Sequence, residues 1–104
     1  MAQFDVYTNP NPTTKKYIPY LLDVQNNMFD TLATRMIVPL VIGKSMATPM
    51  QRLNPGFEIE GRLIYMSTAE LAGVSKKAIG KYVCSLSFKR GEILDALDFI
   101  ITGF

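Results

Sequence analysis

Apolar residues at alternate positions predict β-strands in the first quarter of the chain. In QFDVYT (residues 3–8), Phe4 and Val6 fall on one face of an extended chain, which is typical of a half-buried strand. The same alternation returns over residues 17–24 and predicts a second strand. The intervening residues 9–16 contain two prolines and two asparagines, so we expect a loop there.

The stretch RMIVPLVI (residues 35–42) is apolar on both faces. A strand of this kind is either covered on both sides or lies in a subunit interface. Pro39 has no N–H to donate to a ladder, so the pattern predicts an edge, a bulge or a bend at that residue. Residues 25–34 form the connection that precedes this strand.

The clearest hairpin is FEIEGRLIYM (residues 57–66), in which Glu60 and Gly61 separate two short apolar segments. Residues 43–56 before it are rich in turn-forming residues and predict a long loop. Residues 67–86 remain ambiguous between short strands and turns.

The last segment has helical periodicity, and Ser87 is a candidate N-cap. Phe99 falls outside the apolar stripe of that helix. The stripe itself consists of Ile93, Leu94, Leu97, Ile100, Ile101 and Phe104. Short strands followed by one helix predict a single domain over residues 1–104, mainly β, as a small barrel or sandwich with a C-terminal helix packed on it.

Several apolar residues have no obvious place in such a core. Chain ends are usually frayed and polar, yet this chain finishes on the apolar run DALDFIITGF. Met28, Phe29 and Phe99 are also unassigned. Clustered exposed apolar residues mark surfaces for protein partners, so these residues favour a protein-binding module.

Composition and net charge favour a globular protein over a disordered, nucleic-acid-binding or membrane protein. The 104 residues are 48% hydrophobic, which is enough for a core, and the net charge of +2 does not call for a nucleic-acid partner. No apolar run reaches the roughly 18 residues of a membrane span, and no basic-then-apolar leader is present. We therefore expect a cytoplasmic globular protein without a membrane partner.

Residues that carry catalytic chemistry are sparse. The chain has no histidine, one cysteine, and no CxxC, GxGxxG or GxxxxGK motif. Cys84 lies between apolar neighbours and is interpreted as an inert thiol, since nothing near it would activate a thiolate. Glu58 and Glu60 are more often a solvated face than an acid–base pair. Arg35 and Arg52 would suit a phosphoryl transition state, but solvated or structural arginines are the favoured interpretation. We expect no enzyme, no cofactor and no metal.

A set of short motifs in a fixed order carries a resemblance to a known family. The first motif is QFDVYT at residues 3–8, and the second is LLDVQNN at residues 21–27. The third spans residues 30–40 and consists of Asp30 and Thr31 followed by RMIVPL. YMSTAELAGV (65–74), AIG (78–80) and a helix ending in TGF complete the set. No single piece is specific, but together they resemble the CcdB family of toxin–antitoxin toxins, which poison bacterial DNA gyrase.

The resemblance implies a fold and a set of partners. The fold would be an SH3-like barrel with a small additional sheet and a C-terminal helix, assembled as a homodimer. The dimer would insert between the two A subunits of gyrase and trap the enzyme while the DNA is cut. A CcdA-like antitoxin would neutralise it with a disordered C-terminal segment. The two together would repress their operon, with the antitoxin making the DNA contacts.

The resemblance also implies which residues bind gyrase. The apolar pair after D-V-Q is Met28 and Phe29, and the end of the last helix supplies Asp98, Ile101, Thr102, Gly103 and Phe104. Family members often end in Trp-Gly-Ile, and the helix often has asparagine where this chain has Asp98. Two alternatives stay open: a ribosome-independent messenger-RNA endonuclease on the same barrel, and a homologue that binds antitoxin but no longer acts on gyrase.

Overall fold

The computed structural model describes residues 1–104 as seven β-strands and one α-helix, joined by turns and loops. The strands are β1 (Asp5–Thr8), β2 (Tyr20–Asp23), β3 (Thr34–Ile42), β4 (Gly56–Ile59), β5 (Arg62–Met66), β6 (Ala72–Ser75) and β7 (Tyr82–Ser85), and the helix is α1 (Arg90–Thr102). All strands pair antiparallel in one sheet of order β4-β5-β3-β2-β1-β7, and β6 pairs with β3 beside that path. The mainly β fold with a C-terminal helix is confirmed, and β6 extends the one sheet beside its main path.

Strand β3 is the centre of the sheet, because two different strands pair with its two halves. Its first half, Thr34–Ile37, pairs with β6, and its last residues, Leu40–Ile42, pair with β5. Pro39 lies between these two ladders, where its missing N–H breaks no ladder bond on that side, while its carbonyl accepts a hydrogen bond from Ser67 N–H at 2.9 Å. Of the edge, bulge or bend expected at Pro39, the edge does not occur, since the residue marks a change of partner inside a central strand.

Both faces of β3 are covered within the single chain. On one face Val38 and Leu40 have no exposed surface, and on the other Ile37 and Val41 retain only 2% and 7%. The first of the two sequence-based alternatives is therefore correct for these residues. Only Met36, at 38% exposure, leaves an apolar side chain of this strand open to solvent.

The core lies between one face of the sheet and α1. Each fully buried Leu or Ile side chain contributes about 1.5–3 kcal/mol to stability, so this cluster is the main support of the fold. Its members are Phe4, Val6, Tyr20, Leu22, Val38, Leu40, Phe57, Ile59, Ile64, Met66, Leu86, Ile93 and Ala96. The hairpin between β4 and β5 turns at Glu60 and Gly61 with φ of 51° and 77°, which confirms the two-residue turn.

The helix differs from the sequence prediction in two ways. It begins at Arg90 after a short 3-10 turn, Ser87–Lys89, so Ser87 is not its N-cap; Lys89 holds that position without a side-chain cap. The apolar stripe packs on the core through Ile93, with Ala96 beside it and with Leu94 and Leu97 partly buried against the same cluster. Ile100 and Ile101, near the end of α1, are 41% and 75% exposed. No helix has both the length and the apolar character needed to cross a membrane.

Candidate functional site

An apolar groove of about 410 Å³ lies beside the second half of α1. Two of its residues come from α1, one from β3, one from the end of the 68–70 turn, and the rest from the connection between β2 and β3. They are Val24, Gln25, Asn26, Phe29, Leu32, Met36, Leu71, Leu97 and Ile101, of which seven are hydrophobic. A groove with so few polar groups has the composition of a surface that a protein partner covers.

The apolar side chains at this groove are markedly exposed. Phe29 retains 50% of its surface, Leu32 49% and Ile101 75%. Just outside the lining, Met28 retains 79%. Monomeric soluble proteins seldom leave so many neighbouring apolar side chains open, so this cluster is the candidate binding surface of the protein.

The turn that carries Met28 and Phe29 is held in place by its own polar neighbours. Asn26 accepts a hydrogen bond on Oδ1 from Met28 N–H at 2.8 Å, which caps the 3-10 turn Asn27–Phe29. Gln25 donates from Nε2 to the carbonyl of Phe29 at 2.9 Å and accepts on Oε1 from Met36 N–H at 3.0 Å. Gln25 therefore ties the turn directly to β3.

A buried ion pair lies beneath this turn. The side chains of Arg35 and Asp23 are both fully buried, and Arg35 Nε donates to Asp23 Oδ2 at 3.0 Å. Arg35 Nη1 also donates to Asp30 Oδ1 at 2.9 Å, so one guanidinium joins β2, β3 and the end of the turn. Burial raises the pKa of Asp23, and the hydrogen bond from Arg35 opposes that shift. Arg35 is thus a structural arginine, and the network fixes the backbone that presents Met28 and Phe29.

The end of α1 has an ordered backbone and exposed side chains. Gly103 adopts φ of 78°, a left-handed cap that favours glycine, and its N–H donates to the carbonyl of Phe99 at 2.9 Å. The hydroxyl of Thr102 donates to the carbonyl of Asp98 at 2.8 Å. Phe104 follows the cap and keeps 81% of its surface exposed.

The structure brings some of the proposed site residues together and leaves others apart. Phe29 and Ile101 line the same groove although they are 72 residues apart in the chain. Met28 is exposed beside Phe29 but does not line the groove. Four further residues also lie outside its lining, on or after the last turn of α1: Asp98, Thr102, Gly103 and Phe104.

Sequence reasoning did not identify several residues of the groove. A signal for Met36 was present in the sequence. Because β3 is apolar on both faces, one of its apolar side chains had to be the most exposed, and that side chain was a candidate for the binding surface. Leu32 and Leu71 lie in a connection and next to a turn, where no periodicity indicates which way a side chain faces. Their place in the groove follows from the tertiary fold alone.

The other residues considered for chemistry have ordinary structural surroundings. Cys84 is partly buried, and burial raises the pKa of its thiol, which disfavours the reactive thiolate. Glu60 accepts a hydrogen bond from the hydroxyl of Tyr20, and Glu58 is exposed on β4. Arg52 forms an ion pair with Asp95 on α1, with Nε and Oδ2 2.9 Å apart. No group of three or more Asp, Glu, Cys or His side chains is arranged to hold a metal ion.

This fold is also found in a protein of a toxin–antitoxin pair. A solved structure described as an endoribonuclease in complex with its cognate antitoxin, from mycobacterial species, matches with a TM-score of 0.71. The match covers 97% of this chain and 94% of that chain at 16% identity, which shows a shared fold. The family model described as CcdB protein matches residues 3–103. The chain therefore belongs to the CcdB family, and the two findings together support a toxin of a toxin–antitoxin system.

Proposed function

We propose that this toxin binds the A subunit of DNA gyrase and traps the enzyme on cleaved DNA. The observation that carries the proposal is the groove, where Phe29 and Ile101 meet with Met28 exposed beside them. These are the positions at which the CcdB resemblance places gyrase contacts. Aromatic and large aliphatic side chains at the centre of an apolar patch supply most of the binding energy of protein interfaces.

Two partners besides gyrase belong to the proposal. A CcdA-like antitoxin neutralises the toxin, and the complex represses its own operon while the antitoxin makes the DNA contacts. The net charge of +2 agrees with this division of roles, because protein–DNA affinity rests largely on cations that neutralise phosphates. No membrane and no cofactor enter this mechanism.

The toxin acts as a homodimer in this proposal. Met36 on β3 and Leu97 on α1 both line the groove, and Met36 lies outside the core cluster while Leu97 is only partly buried against it. A twofold axis near these residues would bury part of the groove of one subunit against the same part of the other. The rim of the groove, with Met28 and the end of α1, would stay open for gyrase.

The dimer leads to a measurable prediction. Sedimentation at micromolar concentration gives the mass of a dimer, and Met36→Glu shifts the protein towards monomer because it places two carboxylates near the axis. Leu63→Glu is the matched control, since Leu63 is 55% exposed on the β5 hairpin and does not line the groove. A wild-type protein that sediments as a monomer contradicts the dimer.

An endoribonuclease is the second candidate function, because the structural neighbour is named as one. We propose instead that the toxin is not an enzyme. Cys84→Ser, and separately Glu58→Gln with Glu60→Gln, leave toxicity unchanged in this proposal, since the amide oxygen of the new glutamine still accepts the hydrogen bond from Tyr20. Toxicity is measured as loss of colony formation, and circular dichroism checks that each variant is folded. Loss of toxicity in a folded variant would revive a catalytic mechanism.

The decisive experiment is expression in bacteria with ordinary gyrase. We expect growth arrest with gyrase-linked DNA breaks, and rescue by a gyrase A variant altered at the toxin-binding dimer region. Purified protein incubated with messenger RNA separates the endonuclease, which cleaves the RNA without gyrase. Absence of both activities, with antitoxin binding retained, identifies a homologue that has lost its target.

A further inference from the structure

The exposed face of α1 opposite the groove carries a side-chain cluster that the proposed function does not use. Arg52, from the loop before β4, reaches across to Asp95 with Nε to Oδ2 at 2.9 Å and Nη2 to Oδ1 at 3.0 Å. Its guanidinium carbon lies 4.5 Å from the centre of the Phe99 ring. Its Nη2 also donates to the main-chain oxygen of Phe104. One side chain therefore contacts two turns of the helix and Phe104, the residue after its cap.

The segment that carries Arg52 is anchored to the sheet immediately after it. The carbonyl of Leu53 accepts a hydrogen bond from the hydroxyl of Thr68, a residue with no exposed surface. Asn54 donates from Nδ2 to the carbonyl of Met66 at 3.0 Å, and its Oδ1 accepts from Met50 N–H at 3.0 Å. Arg52 therefore extends from a fixed base, and its contacts restrain the end of α1 relative to the core.

The chemistry of the cluster requires arginine. Asp95 and Phe99 are four residues apart, so they lie on the same face of α1 and the guanidinium plane covers both. A planar fork makes two parallel bonds to a carboxylate while it stacks on an aromatic ring, which a lysine ammonium does not do. The hydrogen bond from Arg52 lowers the pKa of Asp95 below its usual range, which favours the ionised carboxylate that accepts both bonds.

We propose that Arg52 is a positioning residue, which orders Gly103 and Phe104 before the target binds. This inference rests on the proposed function, in which the end of α1 meets gyrase. Gly103 has wide conformational freedom, so the residue after it would sample many orientations without a restraint. A partner that meets a disordered tail must immobilise it at a cost in affinity, and the Arg52 contacts remove that cost in advance.

The cluster contributes little to the stability of the fold. The side chains of Arg52 and Asp95 are 41% and 49% exposed, and ion pairs so open to solvent change stability only slightly. A positioning role and a stabilising role therefore predict different results. The first changes the order of the tail and the affinity for the target, whereas the second changes the melting temperature.

The test compares Arg52→Ala and Arg52→Lys with Arg62→Ala. Arg62 is the matched control, because it also lies over an aromatic ring, that of Tyr20, and donates to a side chain, but it does so away from α1. The order of residues 101–104 is measured in the free protein by backbone ¹⁵N relaxation, which needs no partner. Affinity is measured with the purified A-subunit fragment of gyrase.

We expect Arg52→Ala to increase the mobility of residues 103 and 104 and to weaken binding about two- to tenfold, the range for immobilising one side chain. Arg52→Lys does not restore either property, and Arg62→Ala changes neither. A tail that stays ordered in Arg52→Ala overturns the inference, as does a mobile tail with unchanged affinity. If the wild-type protein does not bind the gyrase fragment, the proposed function fails instead, and the relaxation data alone decide whether Arg52 orders the tail.

Discussion

We expect removal of residues 102–104 to abolish the proposed gyrase binding and to leave the fold almost unchanged. Phe104 is 81% exposed, and Thr102 and Gly103 are exposed as well, so the deletion takes no residue from the core. Loss of an aromatic anchor at an interface costs about 2–4 kcal/mol, equivalent to roughly a 30- to 1000-fold loss of affinity. The measurements are titration against the gyrase A fragment, a thermal melt, and antitoxin binding, which we expect to remain largely intact.

Phe104→Ala tests how much of the binding comes from the aromatic ring and how much from the backbone of the tail. It should reproduce most of the loss of affinity, whereas Phe88→Ala is a matched control, because Phe88 is 76% exposed but lies in the 3-10 turn before α1. A truncated protein that melts much earlier would show that the tail packs on the core. One that still traps gyrase on cut DNA would show that the tail is not part of the target surface.

Arg35→Leu destabilises the protein by about 3–5 kcal/mol, because it leaves the buried carboxylate of Asp23 without its charged partner. For a domain of this size, each kcal/mol lowers the melting temperature by about 4–8 °C, so the expected fall exceeds roughly 12 °C. Urea unfolding at neutral pH measures the change in the free energy of unfolding.

Two further variants show whether this loss comes from the buried charge. Arg52→Leu removes an exposed arginine from an ion pair and should cost less than about 1 kcal/mol. Adding Asp23→Asn to Arg35→Leu should recover part of the loss, since the unpaired charge is then gone. If Arg35→Leu costs no more than Arg52→Leu, the buried pair does not support the fold.

The elements that depend on local pattern were predicted correctly from the sequence. The turn at Glu60 and Gly61 needs two residues with positive φ, and alternating strands on either side leave one place for it. The first strand was predicted from the alternation around Val6, which is fully buried. It begins only at Asp5, because Phe4 has φ of 72°, and Tyr7 on its other face is buried as well, so the strand is not half-buried. Such features depend on residues that are neighbours in sequence, so a single amino-acid sequence is enough to predict them.

The end of α1 shows where periodicity stops being informative. Apolar residues continue at helical spacing through Ile101, and the pattern predicts one stripe along α1. Periodicity reports which side chains share a face but not which of them the rest of the fold covers. Ile93 is fully buried in the core, whereas Ile101 keeps 75% of its surface exposed.

The buried ion pair could not be predicted from the sequence, for a different reason. Arg35 could equally have been solvated or structural, and nothing local connects it with Asp23, which lies on the neighbouring strand. The pairing depends on the register of β2 against β3, which places Asp23 opposite Ile37 and so brings it near Arg35. The groove has the same dependence, since Phe29 and Ile101 meet only after the sheet and helix have assembled.

The turn between β2 and β3 separates the residues that maintain its shape from those that meet a partner. Gln25, Asp30 and Arg35 hold its backbone through polar contacts, and none of these contacts involves the side chains of Met28 or Phe29. Mutations at the two apolar positions therefore change the chemistry of the surface without breaking the contacts that hold the turn. A lineage that carries this turn can adapt to a partner whose own surface has diverged, or to another partner, through a few substitutions that leave those contacts intact.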